Sequence, residues 1–188
     1  MHPRHPDHQI KGVWFIAGTD YLRSALPQSR WQALVEAVPE PYRPILEAPL
    51  TSEWYPEDAA AHFLNAWLQV AAKGDRRRFQ QMVAEGSEQG VGRFFRAIAR
   101  LASPRFVIKQ TPTIFKHQRR GPARVEVQDE GERMVVQYRA FPFLADPIYP
   151  LTFTAQLGAL LHATTGHRPV ARVLHHTDST MDVEVPLP

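Results

Sequence analysis

The segment ARVEVQDEGERMVVQY, residues 123–138, decides the fold class, because the periodicity of the chain changes there. Apolar and polar residues alternate from Ala123 to Val127, which is the period of two that is typical of β-strands. The run Met134–Tyr138 returns after it, and the polar residues Asp129–Glu132 between the two runs contain a glycine and predict a turn. We therefore predict an antiparallel hairpin.

Upstream of this hairpin the apolar residues recur at helical spacing. Thr19 can cap a helix that begins at Asp20. Pro56 suits the first position of the clearest helix, whose buried face we expect to hold Phe63, Leu64, Trp67, Leu68 and Val70. Gly74 ends that helix, and a second long helical stretch is predicted from Asp75 to about Ala102. A further helix opens at Ser103-Pro104 and continues through Phe115, strained by Pro112.

Downstream of the hairpin the sequence predicts a helix and a second hairpin. Leu151–Thr165 has helical spacing and ends before Gly166, and two short runs then surround the turn at residues 177–180. The fold class is therefore α+β, with N-terminal helices packed on a C-terminal antiparallel sheet of about four strands and one intervening helix. We expect residues 1–9 to form a flexible tail and residues 10–188 to form a single α+β domain.

Composition limits the classes of protein to which the chain can belong. Its 188 residues, of which 44% are hydrophobic and 22% charged, suit one globular domain. The absence of cysteine excludes disulfides, thiolate metal sites and cysteine nucleophiles, and fits a cytoplasmic location. No apolar stretch is long enough to span a bilayer.

Several short motifs together resemble a known family over about residues 10–188. They are Lys11-Gly12, Trp54-Tyr55-Pro56, the glycine-spaced segment before Phe94-Phe95, and Pro112-Thr113-Ile114-Phe115 ahead of a glycine and a hairpin. The chain resembles a paralogous family of unknown function found in myxobacteria. That family is similar to the vinyl-reductase-associated domains, the haem-dependent nitric-oxide-binding domains and the Bet3-type trafficking subunits.

The resemblance implies an α+β domain in which, in some relatives, helices and sheet enclose an apolar ligand cavity. The haem-binding relatives carry a Tyr-x-Ser-x-Arg motif that holds the haem propionates, and this sequence lacks it. Thr180–Glu184 also lacks the cysteines common near the C-terminal end of the vinyl-reductase-associated domains. We therefore predict that the chain binds no cofactor.

Charge is distributed unevenly along the chain. The segment Lys73–Arg124 holds 13 basic and three acidic side chains, a net charge of +10, whereas the two flanking segments together carry −7. Arginines at helical spacing i, i+3 and i+7 share one face of the predicted helix. The basic residues that we assign to a partner-binding face are Arg93, Arg96, Arg100, Arg119 and Arg120, with Phe141 and Phe143 of an apolar loop nearby.

Such a basic face could bind nucleic-acid phosphates, anionic lipid or an acidic protein partner. A protein partner is favoured, and a second copy of the chain is one form that it could take. Nucleic acid is the least favoured, because no binding motif is present and aromatic residues do not interleave with the arginines. The alternative to any partner is a solvated helix face whose arginines pair with the acidic flanks. The loop Phe141–Leu144 either adds to a docking patch or tucks into the core.

The aromatic residues raise a second functional hypothesis. They could line an apolar pocket between helices and sheet, or they could simply fill the core. The residues that we assign to this pocket are Phe63, Trp67, Phe94, Phe95, Phe115, Tyr138 and Phe153.

The sequence carries no recognisable catalytic signature. It contains no G-x-S-x-G, Walker A or dinucleotide motif, and its histidines lack metal-ligand spacing. We therefore predict a non-catalytic domain without a metal site. Its function is that of a regulatory adaptor that docks a protein partner, or alternatively that of a sensor that holds a small apolar ligand in a helix–sheet cavity.

Overall fold

The computed structural model describes residues 5–90 and 102–187. Eight α-helices lie in these two ranges: α1 (Gly12–Ala25), α2 (Gln28–Ala37), α3 (Arg43–Glu47), α4 (Glu57–Ala66), α5 (Arg76–Gly90), α6 (Pro104–Lys109), α7 (Thr111–Gln118) and α8 (Ile148–Thr165). The strands are β1 (Gln9–Lys11), β2 (Trp54–Pro56), β3 (Arg119–Arg120), β4 (Arg124–Asp129), β5 (Arg133–Arg139), β6 (Arg172–His176) and β7 (Met181–Pro186).

The C-terminal half contains the predicted four-stranded antiparallel sheet. Its strand order is β4-β5-β7-β6, so the two hairpins join through β5 and β7. Val136 pairs with Val127 on one side and with Val183 on the other, and these positions place apolar side chains in or against the core. Helix α8 connects the hairpins and is the predicted intervening helix. The α+β fold class is therefore confirmed.

A second, three-stranded sheet was not predicted. Its order is β2-β1-β3, and β1 lies in the middle, paired antiparallel to both neighbours. Gln9 belongs to β1 and His8 is buried against the rings of Phe141 and Phe143. The tail predicted for residues 1–9 thus extends too far at its C-terminal end. Strands of two or three residues show no alternation pattern, so the sequence did not reveal this sheet.

Helix α1 begins earlier than the sequence predicted. It starts at Gly12, and the Oγ1 of Thr19 donates to the carbonyl of Ile16 inside the helix instead of capping it. The N–H of Gly12 donates to the carbonyl of Glu53 at 2.8 Å, and an ideal Cβ at Gly12 would lie 1.9 Å from the carbonyl oxygen of Leu50. Glycine is therefore required where α1 leaves the small sheet.

Two helices occupy the segment in which a single strained helix was predicted. Helix α6 ends at Lys109, and α7 begins after Gln110 with Pro112 in its first turn. Proline has no N–H to donate there, and the first turn of a helix needs none. Pro112 thus opens α7 and does not strain a longer helix.

The predicted helix from Asp75 to about Ala102 is described as far as Gly90, the end of α5; its remainder lies outside the described residues. Helix α5 packs against both α1 and α8. Beyond α4, residues Trp67–Ala71 form a π-helical turn in which the N–H of Ala72 bonds to the carbonyl of Trp67. Within the described ranges no helix is both long and apolar enough to cross a membrane.

Candidate functional site

A cavity of about 420 Å³ lies among the helices and next to the four-stranded sheet. Its volume is within the range of small-molecule sites. Helices α1, α5, α7 and α8 supply most of its lining, and β5 supplies Tyr138. Val13, which also lines it, is 40% exposed, so the cavity reaches the surface beside α1.

Four of the predicted pocket residues line this cavity. They are Trp67, Phe115, Tyr138 and Phe153. The rings of Tyr138 and Phe153 stack with their centroids 4.5 Å apart. Phe63 is buried beside Trp67, 5.7 Å between ring centroids, and belongs to the core behind the lining. Phe94 and Phe95 lie outside the described residues.

Small residues allow close packing around α1 beside the cavity. Gly18 of α1 faces the rings of Phe63 and Trp67, and Gly90 of α5 faces Ala17 so closely that a Cβ added to the glycine would lie 2.8 Å from the Cβ of Ala17. The π-helical turn widens the helix at Trp67 and sets the indole in the cavity wall. Such turns recur at functional sites.

An ion pair between Arg119 and Glu57 closes one end of the cavity. The Nε of Arg119 lies 3.2 Å from each carboxylate oxygen of Glu57, and both side chains are buried. The hydroxyl of Tyr149 donates to Oε1 of Glu57 at 3.0 Å. Burial raises the pKa of Glu57, while Arg119 and these hydrogen bonds act to lower it. The pair joins β3 to the first turn of α4.

Aromatic rings surround the guanidinium of Arg119. The carbon at its centre lies 5.2 Å from the ring centroid of Phe115, 5.4 Å from that of Phe153, and 5.9 Å from those of Trp14 and Phe141. Cation–π attraction at these distances partly compensates the loss of water around the charge. The guanidinium is therefore held in an apolar cage with a single carboxylate beside it in the described structure.

Three residues of the cavity wall carry a buried polar atom without a hydrogen-bond partner. They are Nε1 of Trp67, Oγ1 of Thr111 and Nη2 of Arg119. Within residues 5–90 and 102–187 the only other such atom is Oε2 of Glu57, which belongs to the ion pair. Buried polar groups are nearly always satisfied in folded proteins, so a concentration of exceptions at one cavity calls for an explanation.

The predicted partner-binding face is corrected at three positions. Phe141 and Phe143 are buried, because the loop turns into a 3-10 helix that carries them into the core. Arg119 is buried by its pairing with Glu57. Of the described residues assigned to that face, Arg120 alone is exposed, and it lies 4.0 Å from the ring centroid of Trp54. The other three, Arg93, Arg96 and Arg100, lie outside the described residues.

Sequence reasoning missed Glu57 and Thr111. Neither residue belongs to a sequence pattern that indicates a binding site. Their importance comes from contacts made across 62 residues of chain in one case and from a hydroxyl left without a partner in the other. No local pattern in one sequence signals either property.

Comparison with solved structures shows that this architecture is similar to that of H-NOX domains. An Fe(II) unliganded H-NOX protein from K. algicida superposes with a TM-score of 0.61 at 8% identity, covering 94% of this chain and 96% of that one. An H-NOX protein from S. oneidensis in the Fe(II)NO ligation state gives 0.57 at 14% identity, covering 95% and 100%. An oxygen-binding H-NOX domain related to soluble guanylate cyclases gives 0.60 at 9% identity, covering 94% of each chain.

The chain has an H-NOX-like fold. The expected similarity to haem-dependent nitric-oxide-binding domains is thereby confirmed at the level of fold. No protein-family model matches the sequence, and no curated protein matches it significantly. At these identities the likeness says nothing about individual residues.

The cavity does not fit an axially ligated haem. Haem iron takes histidine, cysteine, methionine or tyrosinate as its protein ligand, and the described lining offers only Tyr138 of these four types. Burial raises the pKa of the Tyr138 hydroxyl, which keeps it protonated. The sequence of residues 91–101 contains none of the four types either. The part of the chain that the structure describes also holds no cluster of three potential metal ligands.

Proposed function

We propose that this domain is a non-catalytic sensor that binds a small, predominantly apolar molecule in the cavity between α1, α5, α7 and α8. The observation that carries the proposal is the cavity itself. It has the volume of a ligand site, mainly apolar walls and a few polar lining residues, which is the usual composition of such sites.

The fold supports the same reading. H-NOX domains with the same architecture are described as oxygen-binding and as NO-ligated, so this architecture serves small-ligand binding in other proteins. Here the missing iron ligand favours a molecule held by packing and hydrogen bonds. Membership of the myxobacterial family, a cytoplasmic location and the absence of catalysis stay predictions that accord with this proposal.

The docking hypothesis is less well supported. Burial of Phe141, Phe143 and Arg119 removes three of the side chains on which it rested. Arg105 and Lys109, two further cations of the basic segment, lie beside Asp129 in the same chain. Part of the positive charge is thus compensated within the fold.

A neutral fluorescent probe tests the proposal. N-phenyl-1-naphthylamine should bind with a rise in its own fluorescence and quench the tryptophan emission, because Trp14 and Trp67 both line the cavity. At a probe concentration 100 times its dissociation constant, ligand binding stabilises the fold by about 2.7 kcal/mol. That corresponds to an increase in melting temperature of roughly 5–10 °C for a domain of this size.

A cavity-filling variant provides the control. Ser87 lines the cavity, and its hydroxyl donates only to the carbonyl of Val83 one turn earlier. Ser87→Phe should fill the space and abolish probe binding while the protein stays folded. Ser29→Phe, the same change at an exposed position of α2, should bind as the wild type does. Equal binding by both variants, or none by the wild type, would overturn the proposal.

A further inference from the structure

Three donor groups in the cavity wall are left without acceptors. An unsatisfied buried donor costs about 1–3 kcal/mol, so retaining three around one cavity is expensive in the ligand-free fold. The cost disappears if the ligand carries hydrogen-bond acceptors. The indole of Trp67 and the guanidinium of Arg119 can only donate, and the hydroxyl of Thr111 can do so.

Arg119 is only partly engaged by Glu57. The carboxylate contacts Nε, whereas Nη2 has no hydrogen-bond partner. A guanidinium presents five N–H groups on a planar fork, and carboxylates fit that fork. The N–H groups of Nη2 therefore remain for a second acceptor.

The donors on α7 and β3 lie close to one another along the chain. Thr111 and Phe115 are four residues apart and share one face of α7. The guanidinium of Arg119 lies over the Phe115 ring, at 5.2 Å from its centroid. Arg119 therefore lies beside Phe115, which is one helical turn from Thr111, and all three residues line the cavity. Trp67 contributes its donor from beyond α4.

We infer that the ligand is an amphiphile whose apolar body fills the cavity and whose carboxylate headgroup is bound by Arg119 and Thr111. This inference rests on the proposed function. A carboxylate only accepts hydrogen bonds, which matches a wall that presents unsatisfied donors. Its apolar body matches the remaining lining of Trp14, Phe153, Leu157 and Leu160.

The charge balance around the ion pair is consistent with an acidic ligand. Burial raises the pKa of Glu57, and the nearby carboxylate of Asp58 acts in the same direction. Both effects act against the negative charge of Glu57, whereas Arg119 favours it. The Tyr149 hydroxyl, which lies against Glu57, stays protonated, because burial raises its pKa.

The experiment compares two ligands that differ only in the headgroup. Decanoate and 1-decanol compete with N-phenyl-1-naphthylamine, and the displacement gives the affinity of each. A hydrogen bond to a charged group contributes about 1.5–3 kcal/mol, so wild-type protein should bind decanoate about 10–100 times more tightly than decanol.

Matched variants assign the preference to named donors. Thr111→Val removes the hydroxyl without changing the shape of the side chain, and the pair Arg119→Met with Glu57→Gln removes both charges together. Each should lower decanoate affinity about tenfold or more and decanol affinity by less, because a neutral hydroxyl accepts a hydrogen bond more weakly than a carboxylate does. Ligand-free Thr111→Val should be as stable as the wild type or more so, because it replaces an unsatisfied hydroxyl with a methyl group.

The outcomes separate this inference from the proposed function. If decanoate and decanol bind equally while the naphthylamine probe binds normally, the headgroup inference is overturned and the apolar site stands. If decanoate is preferred but neither variant reduces the preference, the assignment to Arg119 and Thr111 is overturned. If the wild type binds none of the three molecules, the proposed function itself fails.

Discussion

Arg119 and Glu57 form a buried ion pair in the protein interior. Both are buried, their closest atoms are 3.2 Å apart, and aromatic rings take the place of water around the guanidinium. Buried pairs of this kind add little net stability compared with apolar residues of the same volume. Removing one partner, however, leaves the other charge buried without a counter-ion, which is destabilising. Such a pair is easier to explain as part of a binding site than as a source of stability.

Arg119→Met should destabilise the fold by about 3–5 kcal/mol, because it leaves Glu57 buried without its counter-ion. Adding Glu57→Gln should restore most of that loss, since the amide keeps an acceptor for the Tyr149 hydroxyl. Urea unfolding at pH 7, followed by circular dichroism, measures both free energies. Equal instability of the single and double variants would show that the charge of Glu57 is not the cause.

Among the elements, β1 connects parts of the chain that are far apart in sequence. It pairs with β2 and β3, and the residue before it, His8, packs against Phe141 and Phe143. The N–H of Glu57 also donates to the carbonyl of His8 at 3.0 Å. This short strand therefore positions the first turn of α4, and with it the carboxylate that pairs with Arg119.

The stability that the packing of His8 contributes to the fold should depend on pH. Burial lowers the pKa of His8, and His5 lowers it further, while Asp7 opposes both. The unfolded chain therefore takes up the proton first, so stability is complete above about pH 6.5 and falls as the pH decreases towards the folded-state pKa.

His8→Phe should keep the ring contacts and lose this pH dependence. We expect the difference in melting temperature between pH 7.5 and pH 5 to be smaller by a few degrees in the variant than in the wild type. His117→Phe is the control, because His117 is exposed on α7. An unchanged difference in His8→Phe would exclude His8 as the titrating group.

At the scale of the whole molecule, an H-NOX-like architecture surrounds a cavity. Its described lining has unsatisfied hydrogen-bond donors but no histidine, cysteine or methionine to bind iron. The superposition extends over nearly the whole chain, so the two kinds of domain share their arrangement of helices and sheet. Function in such folds lies in the residues that line the site, which differ freely while the architecture persists.

Haemin added to the purified protein should produce no spectrum of a ligated haem. The described cavity offers no histidine, cysteine or methionine, and the hydroxyl of Tyr138 stays protonated. The Soret region of the absorption spectrum, with free haemin and an H-NOX protein as references, gives the measurement. A stoichiometric, shifted Soret band that is lost in Tyr138→Phe would contradict this expectation.

The sequence alone was sufficient for the fold class. Alternation at residues 123–138 and helical spacing upstream are local patterns, and local patterns decide secondary structure and which faces are buried. The spacing of Trp67, Phe115, Tyr138 and Phe153 predicted that they are interior, but it left open whether they line a cavity or fill the core.

Only the tertiary structure decided which charged and aromatic residues are inside. Arg119 looked like part of a basic surface because its neighbours in sequence are basic, but its partner Glu57 is 62 residues away and joins it only through the pairing of β1 with β2 and β3. From the sequence Phe141 and Phe143 could have faced either way, but in the fold His8 and Tyr149 of α8 pack against both rings. Burial and hydrogen-bond satisfaction depend on contacts between distant segments, and a single sequence does not contain them in any local pattern.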